Sequence, residues 1–94
     1  MIEYLYDAIR ATAGEDIIIS AKITDDSGEH IDEICNLKLF NNNEVISDVP
    51  GVYNGELWDF TIPAADTANL SGRYFYSICH RGNSISFKEP IYLI

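Results

Sequence analysis

Apolar and polar residues alternate along several short stretches of this chain, which is the pattern of half-buried β-strands. The clearest alternation runs over residues 17–24, where one face would carry Ile17, Ile19, Ala21 and Ile23. Residues 34–40 and 56–62 repeat the same period of two, and turn-forming Gly, Asn and Asp residues separate the stretches. The pattern therefore predicts short β-strands joined by turns.

Residues 62–78 predict the end of one strand, a single helical turn and the start of the next strand. Ile62 precedes a proline and is therefore biased to an extended conformation. Pro63 suits the first position of a helix, and Gly72 suits the position just past its end. Strand alternation then resumes at Tyr74, Tyr76 and Ile78. We expect one helical turn near residues 63–70, crossing the end of a β-sandwich.

The other stretches are less regular. Residues 4–12 predict a first strand, although their apolar positions also fit helical spacing. Residues 44–47 predict a short edge strand, and the Pro50-Gly51 pair predicts a loop that ends at Asn54-Gly55. Residues 72–80 and 84–93 then predict a terminal hairpin.

Together these elements predict the fold class. About six to eight short strands with regular turn signals are typical of an all-β, immunoglobulin-like sandwich of two antiparallel sheets. We interpret residues 1–94 as one domain. The predicted core consists of residues that share one parity within each strand, with Leu70 closing its open end. They are Ile17, Ile19, Ile23, Leu37, Leu39, Trp58, Phe60, Ile62, Tyr74, Tyr76 and Ile78.

The charge of the chain excludes some partners. Fifteen acidic and six basic residues give a net charge of -9, whereas nucleic-acid binding needs clustered Lys and Arg. The apolar runs are far shorter than the roughly 20 residues that span a bilayer. The N-terminus lacks the basic and apolar regions of a signal peptide. We expect neither nucleic acid nor membrane as a partner, and synthesis in the cytoplasm.

The residues that usually carry chemistry do not form a recognisable constellation. Cys35 and Cys79 would lie on opposite faces of their strands, with Cys79 outward, so we predict no disulfide. The acidic residues 25–33 lack the spacing of a calcium loop and predict a solvated turn without a metal. His30 and His80 accompany no nucleophile or phosphate-binding motif. We predict no catalytic residues, no cofactor and no enzymatic activity.

Three segments resemble the small immunoglobulin-like domains of tailed-bacteriophage virion proteins. Residues 13–16 (Ala-Gly-Glu-Asp) open the alternating strand, and residues 25–28 (Asp-Asp-Ser-Gly) are followed by Ile-Asp at 31–32. Residues 58–76 read WDFTIPAADTANLSGRYFY, which is similar to the crossover segment of those domains. The resemblance covers residues 13–94.

The resemblance implies a non-enzymatic structural or assembly protein of a phage or prophage virion. Such domains occur in tail, baseplate, neck and head-associated proteins, and the implied location is a virion assembled in the bacterial cytoplasm. An adhesion or ligand-binding module remains an alternative, with a site in the end loops at residues 41–43 and 49–54 and Tyr53 exposed. A small enzyme or inhibitor is the third alternative.

Both ends of the sequence are unusually apolar. On strands of alternating parity only some of their side chains can face a core, and the rest would form an apolar patch or an open edge. We therefore predict contacts with other protein subunits, either in a homo-oligomer or with virion neighbours. The predicted interface residues are Tyr4, Leu5, Tyr6, Ile91, Tyr92 and Leu93.

Overall fold

The chain folds into short strands and one helical turn. The computed structural model describes residues 2–6, 10–25, 27–29, 35–80, 83–84 and 89–94, with backbone alone for 3–6 and 83–84. Within these residues the elements are β1 (Ile2–Tyr6), β2 (Arg10–Ala11), β3 (Ile17–Ile23), β4 (Cys35–Asn41), β5 (Glu44–Tyr53), β6 (Trp58–Ile62), α1 (Ala64–Thr67), β7 (Gly72–His80), β8 (Asn83–Ser84) and β9 (Glu89–Leu93). The predicted all-β class is confirmed.

The strands form two sheets that share β5. The first sheet has the order β1-β3-β6-β5, and the second has the order β5-β4-β7-β9-β2, with β8 paired to β7. These orders correspond to the two strand sets of an immunoglobulin-like sandwich, as predicted. All described pairs are antiparallel except β2–β9, which is parallel.

The core lies between the two sheets and confirms the predicted set. All eleven predicted side chains are buried, and Tyr74, the most accessible of them, is 8% exposed. The core also contains five apolar residues outside that set, which are Ala21, Cys35, Val49, Ile91 and Leu93. Leu70 is partly buried and packs against the core, as expected of a residue that closes its end.

The predicted single strand over residues 4–12 is wrong. β1 pairs with β3 in the first sheet, whereas β2 pairs with β9 in the second sheet. The chain therefore changes sheets between Tyr6 and Arg10. β1 and β2 thus form backbone hydrogen bonds with strands of different sheets. The pattern of apolar residues along the sequence does not predict which strands pair.

The predicted loop at Pro50-Gly51 is also wrong, because β5 runs through it without a break. Residues 44–50 of β5 pair with β4, and residues 51–53 pair with β6. Pro50 lies in the part of β5 that borders the second sheet, a position that tolerates the missing N–H of proline. Gly51 marks the point where the strand passes from one sheet to the other.

The helical turn α1 confirms the predicted crossover and is attached to the sandwich by three side-chain hydrogen bonds. The Ala64 amide donates to Asp16 Oδ1 (2.8 Å), and the Gly14 amide donates to Thr67 Oγ1 (3.1 Å). The buried Ser47 hydroxyl donates to Asp66 Oδ2 (2.7 Å). The turn ends earlier than predicted. Gly72 begins β7 at a φ of 98° instead of capping the helix.

The two cysteines occupy opposite faces of the second sheet, as predicted, and neither belongs to a disulfide in the structure. In the β4–β7 register Cys35 pairs with His80, and Asn36 pairs with Cys79. Cys35 belongs to the core, whereas Cys79 lies on the other face. The expectation that Cys79 points out to solvent is nevertheless wrong, because its side chain is only 5% exposed.

Reducing agent should leave the melting temperature of the protein unchanged. Loss of a native disulfide typically costs about 2–5 kcal/mol, which would lower the melting temperature of a domain this small by about 10 °C or more. We expect a shift within error when dithiothreitol is added, and reaction of both thiols with a thiol reagent under denaturing, non-reducing conditions. A blocked thiol in that titration would contradict the prediction.

Candidate protein interface

The N-terminal part of the predicted interface lies on an outer strand. β1 is the last strand of the first sheet and, among the residues that the structure describes, pairs with β3 alone. Tyr4 is in register with Ala21, and Tyr6 is in register with Ser20. The register shifts between these two pairs, at Leu5. The predicted residues Tyr4, Leu5 and Tyr6 thus occupy an irregular strand at a sheet edge.

The C-terminal part of the predicted interface lies in the other sheet and is mostly buried. Ile91 and Leu93 are each 1% exposed and belong to the core, whereas Tyr92 is 53% exposed. The segment is attached to the start of the chain as well: the Ile94 amide donates to the Ala11 carbonyl at 3.0 Å. The six predicted residues therefore do not form one patch, and of Ile91, Tyr92 and Leu93 only Tyr92 offers its side chain to a partner.

A larger apolar surface crosses the outer face of the second sheet. In the strand registers Pro90 neighbours Phe75, Phe75 neighbours Phe40, and Phe40 neighbours Val45. We call these four residues the aromatic strip. Phe40 and Phe75 are half-buried, Pro90 is exposed, and Val45 is 46% exposed. The strip therefore runs across four adjacent strands and remains accessible to solvent.

Basic side chains border the aromatic strip on both sides. On one side Tyr92 is in register with both Arg10 and Arg73, and the guanidinium carbon of Arg73 lies 5.2 Å from the centre of the Phe75 ring. On the other side Lys38 is in register with Asp48. We call the strip together with its charged borders the basic-aromatic face.

The outer face of the first sheet differs in character. The Ser20 hydroxyl donates to Asp59 Oδ1 at 2.6 Å in the middle of this face. Ile18 (49% exposed) and Val52 (68% exposed) lie on either side of this polar pair and not beside one another. Among the described side chains of this face, exposed apolar residues are therefore isolated, whereas they are contiguous on the basic-aromatic face.

The end loops offer less than the sequence predicted for a ligand site. Residues 49–53 belong to β5 and are not a loop. Tyr53 is half-buried, with its ring centre 5.2 Å from that of Trp58, so the expectation of an exposed Tyr53 is wrong. Asn54 Oδ1 accepts from the Leu57 amide at 2.8 Å. Asn41 ends β4, and Asn42 and Asn43 form the turn that follows; all three are exposed.

The described part of the acidic segment forms a turn that is stabilised by hydrogen bonds to the Asp25 side chain. Asp25 Oδ1 accepts from the hydroxyl and amide of Ser27 and from the amide of Glu29 (2.7, 2.9 and 3.0 Å). The Ser27 hydroxyl, more than the backbone donors, holds the pKa of Asp25 below its usual value. The remainder of the predicted turn, with His30, lies outside the described residues.

Two further properties bear on the kind of site that the chain could hold. Among the described side chains, no three His, Cys, Asp or Glu residues gather into a group that could bind a metal ion. In the same residues no helix has the length and apolar character needed to cross a membrane.

The sequence contained one signal for the basic-aromatic face. Phe40 and Phe75 alternate with the predicted core residues Leu39 and Tyr76, so the sequence predicted that they lie on the outer faces of their strands. That they are neighbours could not be predicted from the sequence, because it depends on the β4–β7 register.

Comparison with known proteins supports the fold alone. No protein-family model and no curated protein matches the chain. Among solved structures, an engineered protein matches all of this chain with 12% identity and a TM-score of 0.62. The twitchin kinase region from C. elegans matches 98% of it with 10% identity and a TM-score of 0.47. The chain spans 20% of the engineered protein and 16% of the twitchin region.

Proposed function

We propose that this protein is a non-enzymatic structural or assembly component of a tailed-phage or prophage virion, acting through contacts with other protein subunits. The resemblance of residues 13–94 to virion immunoglobulin-like domains supports the virion assignment. The observation that carries the contact role is the position of β1 at the outer edge of the first sheet.

An outer strand offers a specific way of joining another subunit. The backbone N–H and C=O groups on the far side of such a strand can pair with an added strand. Natural proteins usually block such edges with charges, prolines or bulges. β1 has a register shift between Tyr4 and Tyr6 and one charged residue, Glu3, but its sequence IEYLY contains neither proline nor lysine, so these features block its edge only in part. We infer that this strand receives a neighbouring virion protein.

The assignment is tested on particles. Virions purified by density-gradient centrifugation from an induced culture of the source strain should contain this chain, detected by mass spectrometry at a fixed ratio to the capsid protein. The gene should also lie beside portal, capsid or tail genes. Absence of the chain from intact particles whose structural proteins are otherwise all accounted for would contradict the proposal.

Changing Leu5 to lysine should reduce incorporation into particles without unfolding the domain. A charge on an edge strand opposes strand addition, so we expect at least about a tenfold loss of incorporated chain when the variant complements a deletion. Its melting temperature should stay close to that of the wild type.

The matched control is Ile18→Lys, which places the same charge at an exposed position of β3, the strand next to β1 in the same sheet. It should be incorporated normally. Equal loss for both variants would mean that added charge, and not the edge of β1, determines incorporation.

A further inference from the structure

We propose that the basic-aromatic face is the contact surface of a symmetric dimer of this chain, in which two copies pack their second sheets face to face. This surface is separate from the edge of β1. The dimer therefore goes beyond the virion assignment and does not depend on it.

The outer face of the second sheet carries a continuous row of apolar side chains, which is unusual for a sheet surface in contact with solvent. Antiparallel sheets in which one face is covered normally present alternating polar residues on the other. Here Pro90, Phe75, Phe40 and Val45 form a continuous row across β9, β7, β4 and β5, and the 53% exposed Tyr92 lies beside it. A contiguous apolar patch of this kind is typical of a protein–protein contact.

The charges on the face favour a partner with acidic groups. The structure describes four Lys and Arg residues, and three of them, Arg10, Lys38 and Arg73, border the aromatic strip. The fourth, Lys22, lies on β3 in the other sheet. Among the described residues positive charge is therefore concentrated on this face, although the whole chain carries a net charge of -9.

The position of Asp48 indicates that the partner is a second copy. Arg10 lies on β2 and Asp48 on β5, the two outermost strands of the sheet, and the aromatic strip runs between their rows. Four strand spacings of about 4.8 Å across the sheet and four residues of about 3.3 Å along the strands place them roughly 23 Å apart, at opposite corners of the face.

A two-fold axis lying between two such faces can bring Arg10 of each copy to Asp48 of the other. Contacts of this isologous type occur twice, by symmetry. A purely acidic partner would instead place like charge against Asp48, so the second copy accounts for both the basic and the acidic corner.

The first test is the mass of the protein in solution. Sedimentation velocity and light scattering over about 1 to 500 µM should show a reversible monomer–dimer equilibrium, with a dissociation constant in the micromolar range expected of a small interface. A monomer at every concentration would overturn the proposal, and an unrelated acidic partner would then be the occupant to seek.

Matched variants locate the contact. Val45→Glu and Tyr92→Glu change accessible side chains of the basic-aromatic face and should each weaken dimerisation at least about tenfold. Val52→Glu adds the same charge at the 68% exposed position on the first sheet and should leave it unchanged. Thermal unfolding of each variant verifies that the monomer is folded. A dimer that Val52→Glu weakens as much would place the contact elsewhere.

A charge exchange tests the symmetry. Arg10→Glu and Asp48→Arg should each weaken the dimer, because each places like charges together across the contact. The double variant should restore association to near the wild-type value. Two weakening single variants without restoration would refute the Arg10–Asp48 geometry. Either failure leaves the virion proposal intact, since that proposal is judged by the content of particles and not by the mass of the isolated chain.

Discussion

Replacing Phe60 with alanine is expected to lower the free energy of unfolding by about 3–5 kcal/mol, the range typical of a fully buried Phe in a core. Phe60 has no exposed surface, and on β6 it is in register with Ile19 on one side and Gly51 on the other. Its ring stacks on that of Trp58 with 6.3 Å between centres. The substitution thus removes a ring that contacts both neighbouring strands.

A loss of this size is a large share of the roughly 5–15 kcal/mol that stabilises a small domain. Urea unfolding followed by the fluorescence of Trp58, the only tryptophan, measures it. Val52→Ala, at an exposed position of the neighbouring strand, should change stability by less than about 0.5 kcal/mol. A loss below about 1 kcal/mol for Phe60→Ala would contradict the core described above.

Replacing Gly51 with alanine should destabilise the domain by about 1–3 kcal/mol, the usual cost of overpacking a core. A Cβ at this position would lie 2.6 Å from Phe60 Cε1 and 2.7 Å from Trp58 Cε3. The backbone at Gly51 is not in the left-handed region, so the cost comes from contact with the two rings and not from backbone strain.

The double variant shows how much of this cost comes from contact between the new Cβ and the Phe60 ring. Phe60→Leu removes the Cε1 atom that a new Cβ would meet, so Gly51→Ala in the Phe60→Leu background should cost about half as much or less. Urea midpoints of the four proteins in this cycle give the coupling free energy. An unchanged cost in both backgrounds would show that contact with Phe60 does not explain the effect.

Parity along the strands predicted the core well, because burial on one face repeats at every second residue whatever the partner strand. Trp58, Phe60 and Ile62 show this in β6, and Ile17, Ile19 and Ile23 show it in β3. The helical turn was also predictable, since Pro63 acts through its own backbone geometry. Local chemistry of this kind does not depend on which strands become neighbours.

The predictions were wrong where the conformation or burial of a residue is set by contacts with distant parts of the chain. Pro50 and Gly51 have the local chemistry of a turn, yet pairing with β4 and β6 keeps them extended. Tyr53 follows them in sequence and was expected to be exposed, but in the structure its ring contacts Trp58. Cys79 has outward parity and is buried all the same.

The interface residues show the same difference between local pattern and strand pairing. The sequence indicated that only some of the terminal side chains can face a core, without saying which. In the structure Ile91 and Leu93 are the buried ones, and Tyr92 between them is exposed. Phe40, Phe75 and Val45 come from three strands, and only strand register makes them adjacent to Pro90. No spacing along the chain predicts that row.

Periods and backbone preferences that act over a few residues were enough to predict the all-β class, the inward residues of the central strands and the crossover near Pro63. Three features came from the three-dimensional fold instead: the N-terminal residues are divided between two sheets, β5 passes from one sheet to the other at Gly51, and aromatic and basic side chains share one outer face. The physical reason is that hydrogen-bonded pairing between strands far apart in the chain selects the partners and the register, and register decides which side chains become neighbours.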